Sequence, residues 1–160
     1  MDEYTSFYRA EFTSVARTVH LIVHDRQRAE DVTQEAFLRL LQHWAKVSRY
    51  ERPGAWVRRV AIRLATKQVR RERRRTLVER DTGPRPCADA DSLDLDLMRA
   101  IRSLPASQRA AVVLFYFEDR PIVEIADLLD CTESAAKVWL HRARHRLAEA
   151  LTEEVSEDVS

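Results

Sequence analysis

Hydrophobic positions along this chain recur at helical rather than strand spacing. Phe7, Phe12, Val15, Val19 and Ile22 or Val23 predict a first helix ending near His24. Asp25 can cap a second helix, whose apolar face takes Ala29, Val32, Ala36, Phe37, Leu40, Leu41 and Trp44. Lys46 to Arg52 is polar and aperiodic. Pro53 suits the first turn of a third helix that buries Trp56, Val60 and Leu64, with Ala61 and Val69. That helix should fray within Arg70 to Arg75, where like charges repel. Thr82-Gly83-Pro84-Arg85-Pro86 then breaks any helix and reads as a flexible linker. Helical spacing returns with Leu93, Leu97, Ile101 and Leu104, and Pro105 restarts the chain as a helix through about Phe117. Ile122, Ile125, Ala126 and Leu129 give a short buried helix, followed by a turn at Asp130-Cys131-Thr132. Thr132 can cap the last helix, which buries Ala136, Leu140, Ala143, Leu147 and Leu151.

The fold expected is all-α, with two small helical domains joined by a flexible linker. The first covers residues 1–76 as a three-to-four-helix bundle. A linker follows over 77–92, a helix-turn-helix domain over 93–152, and an acidic tail over 153–160. Composition agrees, because the 160 residues include only two glycines and 45% are hydrophobic. Each domain alone would be only marginally stable at that size.

Charge changes the picture more than composition does. The net charge is +1, yet Arg39 to Arg75 holds 13 Lys or Arg against 2 Glu. The tail from Thr152 to Ser160 carries four acids and no base. A polyanionic partner for the middle of the chain follows, and the overall balance conceals it.

Two elements have the layout of DNA readers. A short helix, a tight turn and a long basic helix make a helix-turn-helix, whose second helix enters the major groove. Glu133, Ser134, Ala135, Lys137 and Val138 occupy its first turns, where side chains reach base edges. Arg142, Arg144 and Arg146 lie further along and suit phosphates. By itself this helix could equally be a solvated amphipathic helix closing a bundle. The second element is the basic block, with Tyr50 and Trp56 among Arg52, Arg58, Arg59, Arg63, Lys67 and Arg70. Aromatic rings among cations suit single-stranded DNA, since bases stack and phosphates pair. Trp56 also fits the apolar stripe of its helix, so burial competes with stacking there.

Other chemistry finds no candidate. His20/His24 and His141/His145 have i, i+4 spacing but no third ligand, so no metal is expected. Cys87 and Cys131 are widely separated and argue against a disulfide framework, with Cys131 a small packing residue in the turn. No nucleophile–base cluster or phosphate loop appears, so neither catalysis nor a cofactor is expected. No stretch approaches the ~20 apolar residues of a membrane span, and the acidic, aromatic N-terminus is unlike a signal peptide. A cytoplasmic protein is expected.

These residues resemble the extracytoplasmic-function (ECF) group of the sigma-70 family of bacterial RNA polymerase sigma factors. AEDVTQEAFLRL at Ala29 to Leu40 is similar to the family's region 2.2, and PGAWVRRVAIRLA at Pro53 to Ala65 to regions 2.3 and 2.4. SLPASQRAAVVLFYFE at Ser103 to Glu118 is similar to region 4.1, and EIADLLDCTESAAKVWLHRARHRL to region 4.2. The resemblance implies that Asp31, Gln34, Glu35 and Leu38 grip the β′ clamp helices of core polymerase. It implies −10 contacts from Tyr50, Arg52, Trp56, Arg58, Arg59, Arg63 and Lys67, with an unstacked base captured near Ala45 to Arg52. The −35 element would be read by Thr132, Glu133, Ser134, Ala135, Lys137, Val138, His141, Arg142 and Arg144. The second domain would also contact the β flap, and an anti-sigma factor is a further implied partner. Outside the holoenzyme the chain would be monomeric, and within it nucleoid-associated. Asp119 and Asp130 stand where the family usually has glycine, and Asp tolerates left-handed backbone. Arg63 replaces a usual Asn, and Trp139 a frequent Arg. The rival is a stand-alone helix-turn-helix regulator of duplex operators, which has no use for the basic block beside Asp31 to Glu35.

Overall fold

In the computed structural model the described residues are 2–79 and 92–159, with side chains described for 2–76 and 95–153. Most of the expected linker, and the side chains of the acidic tail beyond Glu153, lie outside them. The described residues form only helices: α1 (Asp2–Val23), α2 (Arg26–Gln42), α3 (Trp44–Val47), α4 (Pro53–Glu79), α5 (Ser92–Ser103), α6 (Ala106–Val112), α7 (Ile122–Leu129) and α8 (Glu133–Val159). A π-helical turn, Val113–Phe117, continues α6.

The first domain is built on α1, α2 and α4. Val15, Val19, Ile22, Phe37, Leu40, Val57, Ala61 and Val69 are buried among these helices. Around Phe37 the rings of Phe7, Tyr8 and Phe12 gather at centroid distances of 5.1–6.4 Å. Tyr4 donates its hydroxyl hydrogen to the Phe37 carbonyl at 2.8 Å, tying the start of α1 to α2. Trp44 opens α3 instead of extending α2, and packs edge-on against Tyr4 at 5.5 Å. The expected Asp25 cap is present: the Arg28 amide donates to Asp25 Oδ1 at 3.0 Å.

The second domain packs α5, α6 and α7 against α8. Ile101, Leu104, Val113, Leu114, Ile125, Leu128, Ala136, Leu140 and Ala143 form its interior. Asp119 and Asp130 both adopt left-handed backbone, φ 51° and 54°, at the two turns where aspartate was expected to tolerate it. Thr132 caps α8, its hydroxyl oxygen accepting from the Ala135 amide at 3.0 Å.

Two differences from the sequence expectations share one cause: the two domains pack against each other. First, α4 does not fray at its arginine run. Arg73 donates to the Ser103 and Leu104 carbonyls at 2.9 and 2.8 Å, Arg70 donates to Ser107 Oγ at 3.1 Å, and Glu72 pairs with Arg28. Partners on other elements thus offset the repulsion within the run. Second, α4 buries Val57, Ala61, Ile62, Ala65 and Val69 fully, and Trp56, Val60 and Leu64 only partly. A single stripe would serve one neighbour, but α4 has two, α1/α2 on one side and α6/α7 on the other. A separate difference lies on α2, where Leu41 is 40% exposed instead of buried with the core.

Arg109 fastens the domains. It is 4% exposed and has no carboxylate partner among the described residues. Its guanidinium donates to Ile22 O at 2.9 Å, to Leu104 O at 3.3 Å and to Arg102 O. These carbonyls sit at the C-terminal ends of α1 and α5, where helix dipoles favour a cation. Burial lowers its pKa to about 10, with Arg73 and Arg102 adding repulsion, so it stays charged at neutral pH.

His24 lies beside this cation in left-handed backbone, φ 59°, with its Nε2 buried and without a partner. Burial, then Arg109, Arg102 and His20, push its pKa down to about 4 from 6.5. The sign follows: between pH 6.5 and 4 the unfolded chain takes up a proton that the folded chain refuses. Stability is therefore lost as pH falls through that window, by up to about 3 kcal/mol. His24→Asn keeps the left-handed turn and removes the titration. Urea unfolding at pH 7 and pH 4.5 should show a smaller acid loss in the variant, and equal losses would contradict this account.

Candidate polymerase and promoter interface

Three surfaces carry the residues singled out from the sequence. On α2, Asp31, Gln34, Glu35 and Leu38 are all exposed and recur at i, i+3, i+4 and i+7, so they share one face. Leu38 is 54% exposed, and the exposed Leu41 beside it extends the apolar patch. Gln27 donates to Asp31 at 3.1 Å and Arg39 pairs with Glu35 at 3.1 Å, which hold the polar rim in register. The sequence reading missed Leu41, because a stripe of adjacent leucines does not say which one faces the core.

The second surface runs from the turn after α3 along α4. Tyr50 is 42% exposed and Arg52 is exposed. Trp56 is half-buried on the first turns of α4, with its ring 5.6 Å from that of His43, so burial and an accessible edge coexist there. Arg58 departs from the expected outward basic face. Its side chain is 15% exposed and turned onto α1, donating to Ser14 Oγ at 2.9 Å and Glu11 Oε2 at 3.3 Å. Arg59 and Arg63 do point outward from the first domain, but each meets an acid of the second: Asp127 at 2.6 Å and Asp130 at 3.4 Å. Arg52 and Lys67 are exposed without an ion-pair partner among the described residues.

The third surface is the start of α8. Thr132, Glu133, Ser134, Lys137, Val138, His141 and Arg142 are exposed, and Ala135 is half-buried. Arg144 is not a free phosphate ligand in this state. It donates to the Tyr116 hydroxyl and lies over the Phe115 and Tyr116 rings at 5.4 and 5.5 Å. Trp139 turns to the opposite task, lining a small space against Ile62, Arg63 and Thr66 of α4. Cys131 packs in the turn, and burial raises its thiol pKa, with Asp130 adding to the shift. Among the described residues no three or more His, Cys, Asp or Glu are grouped to hold a metal, and no helix is long and apolar enough to cross a membrane.

Comparison with known proteins accounts for both domains. Residues 7–75 match the family model of sigma-70 region 2, and residues 94–147 match that of sigma-70 region 4. The chain is 32% identical over 155 residues to an RNA polymerase sigma-E factor of Streptomyces antibioticus, covering 93% of this chain and 84% of that protein. It is 30% identical over 170 residues to the ECF RNA polymerase sigma factor SigE of Mycolicibacterium smegmatis, covering 98% of this chain and 65% of that protein. In fold it is similar to the sigma factor RpoE of Bartonella quintana, solved in complex with the anti-sigma factor NepR. That likeness has a TM-score of 0.68 at 21% identity, over 95% of this chain and 98% of the other.

The chain belongs to the sigma-70 family of RNA polymerase sigma factors, in its extracytoplasmic-function group. It is a transcription initiation factor, and the matched region 2 sets aside the stand-alone operator-binding regulator.

Proposed function

We propose that this chain joins core RNA polymerase through α2, captures the −10 strand along α4 and reads the −35 element with the start of α8. Asp31, Gln34, Glu35 and Leu38 dock on the β′ clamp helices, with Leu41 widening the contact. Tyr50, Arg52, Trp56, Arg59, Arg63 and Lys67 take the unpaired −10 strand. Its phosphates exchange for solvent or protein carboxylates, and an unstacked base finds an aromatic surface. Arg58 acts from behind, fixing α4 to α1. Glu133, Ser134, Ala135, Lys137 and Val138 face the −35 base edges, while Thr132, His141, Arg142 and Arg144 serve the backbone. Arg144 first has to leave its aromatic pair.

In this reading the protein is not itself an enzyme, since the chemistry of RNA synthesis belongs to core polymerase. It works in the cytoplasm, as a monomer when free and at the nucleoid within the holoenzyme. The β flap contacts the second domain, and an anti-sigma factor, the partner named for the Bartonella quintana relative, is a further partner.

The observation that carries this proposal is the separate exposed face on α2, which a DNA reader acting alone does not need. Leu38→Glu places a charge at the centre of that face without touching the core. It should lower the affinity for core polymerase about tenfold, as loss of a central interface anchor does. Fluorescence titration of labelled chain with core checks this. Unchanged affinity in a variant with a wild-type circular dichroism spectrum would remove α2 from the docking surface.

A further inference from the structure

The π-helical turn Val113–Phe117 turns two aromatic rings towards α8. Phe115 is half-buried and Tyr116 is 50% exposed, with their rings 4.9 Å apart and nearly perpendicular. Arg144 of α8 lies over both, 5.4 and 5.5 Å from the ring centres, and its Nε donates to the Tyr116 hydroxyl. Because that hydroxyl accepts from Arg144, its own hydrogen is left for another acceptor. Among the described residues no acceptor meets it, and none meets the terminal nitrogens of Arg144. Arg120, in the turn that follows, shows the contrast: Glu118 and Glu124 neutralise it at 3.3 and 3.2 Å. A guanidinium that stacks on rings and meets no acid keeps its charge for an outside anion.

Position identifies that anion. Lys137, His141 and Arg144 recur at i, i+4 and i+7, so Arg144 continues the face whose first turns are assigned to the −35 bases. Cations flanking base readers take backbone phosphates. We infer that Tyr116 and Arg144 together form a phosphate site: one backbone phosphate of the −35 duplex enters between hydroxyl and guanidinium and accepts hydrogen bonds from both. This rests on the proposed role of α8 as the −35 reader. A phosphate oxygen takes the place of the Tyr116 hydroxyl at Arg144, and the hydroxyl changes from acceptor to donor. The neutral bond between the two side chains is thereby exchanged for bonds to a charged acceptor, which are shorter and stronger. A phenylalanine at position 116 would offer Arg144 the same ring but no proton for the phosphate. Sequence spacing did not point to Tyr116, which lies 28 positions before Arg144 and outside the helix-turn-helix.

The test uses holoenzyme assembled from core polymerase and the full chain, on a fluorescent duplex promoter that the wild-type holoenzyme transcribes. Single methylphosphonate links, in which a methyl group replaces one charged phosphate oxygen, are placed in turn along the −35 backbone. Binding is measured for wild type, Tyr116→Phe and Arg144→Ala. On the unmodified duplex Tyr116→Phe should bind about fivefold more weakly and Arg144→Ala about tenfold more weakly. One link should weaken wild type by about tenfold and weaken both variants much less, at the same position for each. Variants that lose their sensitivity at different positions would overturn the shared site. Sensitive phosphates that neither variant shifts, or that Arg144→Ala alone shifts, would overturn the inference and leave α8 standing as the reader. A wild-type scan with no sensitive phosphate around the −35 element would overturn the reading of α8 and this inference with it.

Discussion

Replacing Arg109 with methionine should destabilise the chain by on the order of 3 kcal/mol, the largest loss expected from any single substitution considered. A buried charge can often be exchanged for an apolar side chain at no cost, but only when its partners are exchanged with it. Here they cannot be. The Ile22, Arg102 and Leu104 carbonyls are backbone groups, and methionine leaves all three without this donor. Two of the three lie in the second domain, so the variant should weaken that domain as well as its contact with α1. Thermal unfolding should show a midpoint lowered by roughly 10 °C. Arg109→Lys, which can reach fewer of the carbonyls, should recover part of the loss. A midpoint within a degree or two of wild type for the methionine variant would show that water replaces the guanidinium at little cost.

The second large effect is expected on promoter opening. Arg52 and Lys67 are exposed, unpaired among the described residues and outside the seam between the domains. Arg52→Glu with Lys67→Glu should therefore leave stability and the contact between the domains nearly unchanged. Each reversal replaces attraction for a phosphate by repulsion, so open-complex formation should fall by about tenfold or more. Affinity for core polymerase, which this account assigns to α2, should stay within twofold. Permanganate footprinting of the −10 region, beside a core titration, separates the two. Equal losses in both assays would mean that α4 supports assembly rather than strand capture. Arg58→Glu is not a clean test of the same point, because it also breaks the contacts to Ser14 and Glu11 that hold α4 on α1.

Local signals in the sequence carried most of the fold. Asp25 and Thr132 cap the helices they were expected to cap, and Pro53 opens α4. Asp119 and Asp130 take the left-handed turns. Each depends on one residue and its immediate neighbours, which periodicity and capping chemistry can read. That the chain carries a region 2 and a region 4 domain was legible for the same reason. What escaped was the packing of one domain on the other. The acids Asp127 and Asp130 look like solvated turn residues until Arg59 and Arg63, more than sixty positions earlier, are brought to them. Ile62 breaks the single stripe expected for α4 because it serves a second neighbour. Arg109 reads as a surface cation of an amphipathic helix, since nothing beside it in sequence supplies the carbonyl of Ile22. His24 gave no hint of its left-handed backbone, which histidine adopts less readily than glycine and which the chain needs to turn from α1 into α2.

A sigma factor turns core polymerase into a promoter-specific enzyme, and that is the activity to measure in this chain. The most direct measurement is run-off transcription with purified core polymerase, with and without the chain, on a fragmented library of host promoters. New transcripts are expected, with start sites at a common distance from shared −35 and −10 elements. Core polymerase that gains no start sites, while the chain alone binds duplex DNA tightly and specifically, would contradict that expectation.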